Sequence, residues 1–147
     1  MKAKEESEEL MNSILKIAQK LLTKQPTFYP LGAFMEPDCQ IRHVAVEDPD
    51  TDYPDSNVII ETLKDMFSEM ASSGKAKATA IAVDVRTIPP GTDTKTDAIQ
   101  IRLDHRDGYS VEVFFPYQRS DNGSIVYGDT FAATGRFEFF GKKDSIN

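Results

Sequence analysis

The chain has 147 residues, with 39% hydrophobic, 28% charged and 10% aromatic content, which is the make-up of one water-soluble globular domain. A chain of this length buries roughly 68–70% of its unfolded surface, so it needs no disulfide or metal staple, and its single cysteine excludes an internal disulfide. Lys and Arg number 17 against 24 Asp and Glu, and the net charge of -7 argues against binding nucleic acid or anionic lipid.

The first residues are highly charged and lead into an interrupted apolar pattern, unlike the continuous apolar core of a secretory signal. No stretch approaches the ~20 apolar residues of a membrane-spanning helix, and a lone thiol suits a reducing compartment, so a cytoplasmic location is expected. Asn122-Gly-Ser has the form of a glycosylation acceptor, which carries little meaning in such a protein.

From Glu5 to Lys24, the residues Leu10, Met11, Ile14, Leu15, Ile17, Ala18, Leu21 and Leu22 recur at three- and four-residue steps. This predicts an amphipathic helix with acids in its first turn and lysines near its last, stopped by Pro26. Phe28–Met35 and Ile41–Val46 read as two strands of a hairpin, joined by Glu36-Pro37-Asp38-Cys39-Gln40. The acid- and proline-rich Glu47–Asp55 must be loop. A second helix is expected from about Pro54 to Ser73, with the stripe Val58, Ile59, Leu63, Met66, Phe67 and Met70, and with Gly74 as its C-terminal αL residue.

Beyond Gly74 the apolar period shortens to two. Lys77–Ile88 alternates Thr79, Ile81, Val83 and Val85 with small residues, as a central strand covered on both sides would. Asp97–His105 places Ile99, Ile101 and Leu103 on one face and Gln100, Arg102 and Asp104 on the other, a half-exposed strand. For the turn Arg106-Asp107-Gly108, a three-residue loop with Gly108 in αL pairs His105 with Tyr109, Leu103 with Val111, Ile101 with Val113 and Ile99 with Phe115, which keeps one face apolar. It also sets Arg102 opposite Glu112 on the wet face. Ile125–Ala133 reads as a further strand interrupted by Gly128 and Asp129, and Phe137, Phe139 and Phe140 are too few to define an element. The expected fold is one α+β domain over residues 1–147, with residues 1–5 and 142–147 as frayed ends. It has an antiparallel sheet of about five to six strands with two helices packed on one face, in the order α-β-β-α-β-β-β-β.

Motifs for catalysis are weak. His105-Arg106-Asp107 matches three letters of a kinase catalytic loop, but the remaining kinase signatures are missing and turn chemistry accounts for Asp107-Gly108. Asp48, Asp50 and Asp52 have calcium-loop spacing, yet Tyr53 stands where glycine is required and Ile59 where a bidentate carboxylate is needed. Asp52 or Asp55 is better read as a helix-entry residue, and the Asp48, Asp50 and Asp52 run as a surface for a basic partner. His43, His105 and Cys39 lack zinc-ligand spacing, and a nucleophilic Cys39–His43 pair across a short turn has no neighbour in sequence that would activate the thiol. No metal site, cofactor fingerprint or phosphate loop is recognisable, and no cofactor is expected.

Tyr29-Pro-Leu-Gly-Ala-Phe-Met35, Ile41-Arg-His-Val-Ala-Val46 and Val111-Glu-Val-Phe-Phe-Pro-Tyr117 resemble segments of a family of small bacterial proteins of no assigned activity. The resemblance covers most of the chain from Phe28 onward and implies no catalytic residue. Two functional readings follow. The first is a non-catalytic interaction or binding domain, homodimeric through a sheet face or edge, or masking a basic protein through Asp48, Asp50 and Asp52, with Phe114 in a partner patch. The alternative is a small enzyme or ligand-binding domain with Asp84, Arg86, His105 and Asp129 in a pocket on the concave sheet face.

Overall fold

Leu10, Ile14, Ala18 and Leu22 stand four residues apart, the spacing that aligns side chains along one stripe of a helix, and all of them are fully buried. In the computed structural model, which describes residues 2–47, 50–51 and 53–141, they belong to helix α1, Lys2–Lys24. Residues 2–5, expected to fray, continue this helix, and Ala3 is buried within it. Strands β1, Leu31–Met35, and β2, Ile41–Ala45, form the expected hairpin, followed by helix α2, Ser56–Ser72. Asp55 caps α2 by accepting from the Asn57 N–H at 2.8 Å. At its other end Gly74 lies at φ +75, while the Gly74 and Lys75 N–H groups donate to the Ala71 and Met70 carbonyls, a Schellman closure.

Strands β3, Ala78–Thr87, β4, Thr96–His105, and β5, Tyr109–Arg119, follow as a meander. Gly108, at φ +91, closes the β4–β5 turn, and the register is the one that keeps the apolar face intact, from His105 opposite Tyr109 to Ile99 opposite Phe115. The segment read as a single last strand is divided into β6, Ile125–Tyr127, and β7, Phe131–Thr134. Both pair with β5, on either side of the Gly128–Thr130 interruption. The result is a seven-stranded antiparallel sheet in the order β2-β1-β3-β4-β5-β6, with β7 beside β6 on β5. With the two helices it makes an α+β domain in the expected element order.

The helices do not share a face. α1 covers Ala33, Ala78, Ala80, Ala82, Ile99, Ile101 and Leu103, whereas Ile59, Leu63 and Phe67 of α2 cover Ile81 and Val83, which alternate with those alanines along β3. Successive strand residues point to opposite sides, so the two helices sandwich β3 between them. The apolar residues on both sides of β3 required this double cover. The polar half of the α2-side face, Gln100, Arg102, Asp104 and Glu112, is not left wet either. Residues 135–140 fold back across it without forming a strand, Phe139 meets Phe67 edge-on at 5.9 Å, and Gln100 and Glu112 are buried.

Candidate functional site

Four ionisable side chains converge beneath the first turns of α1. Glu6 occupies the buried stripe of the helix one turn before Leu10, His105 ends β4 on its apolar face, Lys77 directly precedes β3, and Cys39 sits in the β1–β2 turn. Glu6 Oε2 accepts from Lys77 Nζ at 2.7 Å and Oε1 pairs with His105 Nε2 at 2.8 Å. The other imidazole nitrogen, Nδ1, accepts from the Asp107 N–H at 3.0 Å, which assigns the ring proton to Nε2 and makes that nitrogen the donor to Glu6. Lys77 Nζ also donates to Cys39 Sγ at 2.9 Å, and the thiol donates to Glu6 Oε2 at 3.4 Å.

Burial pushes the Glu6 carboxyl up, but the hydrogen bonds from Lys77, His105 and Cys39 outweigh it and hold the group at about 2, below its ordinary 4.5. Lys77 is pushed up from its ordinary value by its contacts with the Cys39 sulfur and the Glu6 carboxylate, against the opposing effect of burial. The Lys77 ammonium already neutralises the carboxylate. The arrangement is an ion pair extended by hydrogen bonds that pins α1 to the sheet. Its Cys39 is not joined to His43, whose Nε2 instead meets Ser13 Oγ at 2.8 Å. The group that reaches the thiol is Lys77, 38 positions away in sequence, which no local reading of the turn would find.

At the opposite end of the sheet a cleft of about 600 Å³ opens between the β3–β4 loop and the β5–β6–β7 edge. Pro89, Pro90 and Pro116 and the rings of Tyr117, Tyr127 and Phe131 line it, together with Thr92, Thr94, Thr96, Lys95 and Asp129. Tyr117 and Tyr127 lie 6.3 Å apart at 55°, and Gly128 N–H donates to the Pro116 carbonyl, which fixes the start of the β6–β7 interruption. Burial, and then the bond to Asp84, push the Tyr117 phenol far above its ordinary value. Its hydroxyl donates to Asp84 Oδ1 at 2.7 Å while Thr27 donates to Oδ2.

The four residues expected to share a pocket on the concave face are thus divided. Asp129 lines the cleft, Asp84 supports its Tyr117 wall, Arg86 lies at the same end of β3 facing Asp97 at 3.9 Å, and His105 lies at the far end of the sheet. The cleft is at the sheet's end rather than on its face. Phe114 is half-buried and stacks at 4.7 Å on Phe131, its cross-strand neighbour, so its ring has a partner inside the chain. Of the acidic run, Asp48 and Asp52 lie outside the described residues. The tyrosines and prolines of the cleft were visible in sequence only as an aromatic run and turn residues, since β-pairing across β5 is what gathers them. No family model, curated protein or solved structure matches the chain.

Proposed function

We propose that the chain is a non-catalytic binding domain whose cleft takes an extended, proline-containing and basic segment of a partner protein. The observation that carries this reading is the lining of the cleft. Aromatic rings set beside prolines form the kind of groove in which a preformed polyproline II segment packs its rings. The chain's net charge of -7 favours a segment carrying lysine or arginine over an acidic one, while Lys95 and Asp129 balance each other within the cleft itself. The cleft also falls within the ~300–1,000 Å³ typical of small-molecule sites, which supports a small aromatic ligand as the second reading.

The two readings separate in a chemical-shift titration of the labelled chain with lysine-flanked octaproline and, separately, with N-acetyltyrosinamide. Saturable shifts at Thr92–Thr96 and Tyr127–Phe131 with the peptide support the first reading, and shifts there with the amide alone support the second. Shifts confined to other surfaces, or none with either probe, contradict both.

A further inference from the structure

The β3–β4 connection, Ile88-Pro-Pro-Gly-Thr-Asp-Thr-Lys95, forms one wall of the cleft and is itself a proline-containing segment ending in a lysine. Its shape is preformed. The Thr92 N–H and hydroxyl both donate to the Pro89 carbonyl, at 3.1 and 2.8 Å, and Gly91 takes φ +78, which closes a turn with Pro90 at its second position. Residues 90–95 are exposed. Ile88, leading into this wall, is 49% exposed, and Val126 and Tyr127 on the opposite wall are 59% and 37% exposed, so apolar surface lies open on both sides of the cleft.

The two walls also carry opposite charges. Lys95 stands on the loop wall and Asp129 on the β6–β7 wall; both are exposed, and among the described residues neither has a hydrogen bond or ion pair within its own chain. The one acid of the loop, Asp93, accepts from the Thr94 hydroxyl at 3.2 Å. A two-fold interface uses every residue twice, so one wall that offers a segment and another that receives it can satisfy each other in two copies of one chain.

We infer that the partner of the cleft is a second copy of this chain, the two β3–β4 loops interlocking about a two-fold axis. Pro90 of each loop packs on Tyr127 of the partner subunit, and Lys95 faces Asp129 of the partner subunit. This names the partner of the cleft and rests on its reading as a groove for a proline-containing, basic segment. Because the turn is closed before the copies meet, little conformational entropy is lost on docking. A contact of this kind is smaller than a standard interface, so the dimer exchanges with monomer, with a dissociation constant on the order of 0.1 mM.

Sedimentation equilibrium of the full chain at increasing concentration, in salt of about 0.15 M to screen the repulsion between two acidic copies, measures that constant. Lys95→Asp and Asp129→Lys each set like charges together twice in the two-fold contact and should each weaken the dimer about tenfold. An equimolar mixture of the two variants re-forms both opposite-charge pairs and should dimerise as the wild type does. Lysine-flanked octaproline should dissociate the wild-type dimer. A chain that stays monomeric, single variants that dimerise as the wild type does, or a mixture no better than either variant overturns the inference. A monomer whose cleft still takes the octaproline removes the second copy as partner and leaves the reading of the cleft standing.

Discussion

Glu6 is one of four glutamates in the first nine residues, and what separates it from Glu5, Glu8 and Glu9 is only its place on the stripe that runs through Leu10, Ile14, Ala18 and Leu22. That spacing is the sequence signal for its burial, just as the alternation Ile99, Ile101, Leu103 extends to His105. The pairing with Lys77 and Cys39 left no such trace, because it depends on which strands neighbour each other. Removing one member of a buried pair leaves the other charge uncompensated, so Glu6→Gln should lower stability by about 3–5 kcal/mol in urea unfolding. The depressed Glu6 carboxyl also sets a pH dependence. Its folded-state value of about 2 lies below the ordinary 4.5, so its contribution is complete above 4.5 and is lost as pH falls from there towards 2. The midpoint of thermal unfolding should drop across that window in the wild-type chain, and the drop should be smaller in Glu6→Gln.

Elements were legible where local chemistry determines them. Gly108 and Gly74 mark a hairpin register and a helix end that need no tertiary information, and both hold. The placement of the helices was less so, since the polar residues of β4 suggested an open face that is in fact closed by residues 135–140. Two glycines make the close packing on that side work. A Cβ on Gly32 of β1 would lie 2.8 Å from Leu63 Cδ2 and 2.9 Å from Phe67 Cζ, both in fully buried side chains of α2. Gly32→Ala should therefore cost about 1–3 kcal/mol by overpacking, read in the same unfolding experiment. A Cβ on Gly135 would fall 2.5 Å from the Val111 backbone nitrogen, where no side-chain rotation relieves it. The returning turn is fastened by Gly135 N–H to the Ser110 carbonyl, Glu138 N–H to Asp104 and Arg136 to Glu112 at 2.7 Å. Gly135→Ala should release it, seen as faster amide exchange at residues 136–139 while the amides of β3 stay protected.

Across the whole molecule, the two ends of the sheet carry different tasks. Beneath α1 the ionic cluster ties the helix to β3 and β4, and at the other end Arg119 Nη2 holds the chain leaving α1 through the Leu22, Gln25 and Pro26 carbonyls at 2.8–3.2 Å. That leaves the cleft beyond β3 and β4 on a sheet held from both sides, the rigid support that the proposed binding role requires. Composition and charge indicate an acidic single domain but not where a cleft lies, because the cleft exists only once β6 and β7 have divided around Gly128–Thr130. No helix among the described residues is long and apolar enough to cross a membrane.

The most direct measurement is the calorimetric affinity of lysine-flanked octaproline for the wild-type chain, Tyr127→Ala and Cys39→Ser. Tyr127 is 37% exposed, so its truncation should leave the fold intact, and removing a ring of this kind from a binding groove should weaken the complex about tenfold or more. Cys39→Ser, altered only at the distant ionic cluster, should bind as the wild type does. Equal affinity in all three chains, or loss in Cys39→Ser with Tyr127→Ala unaffected, would contradict the assignment of binding to the cleft.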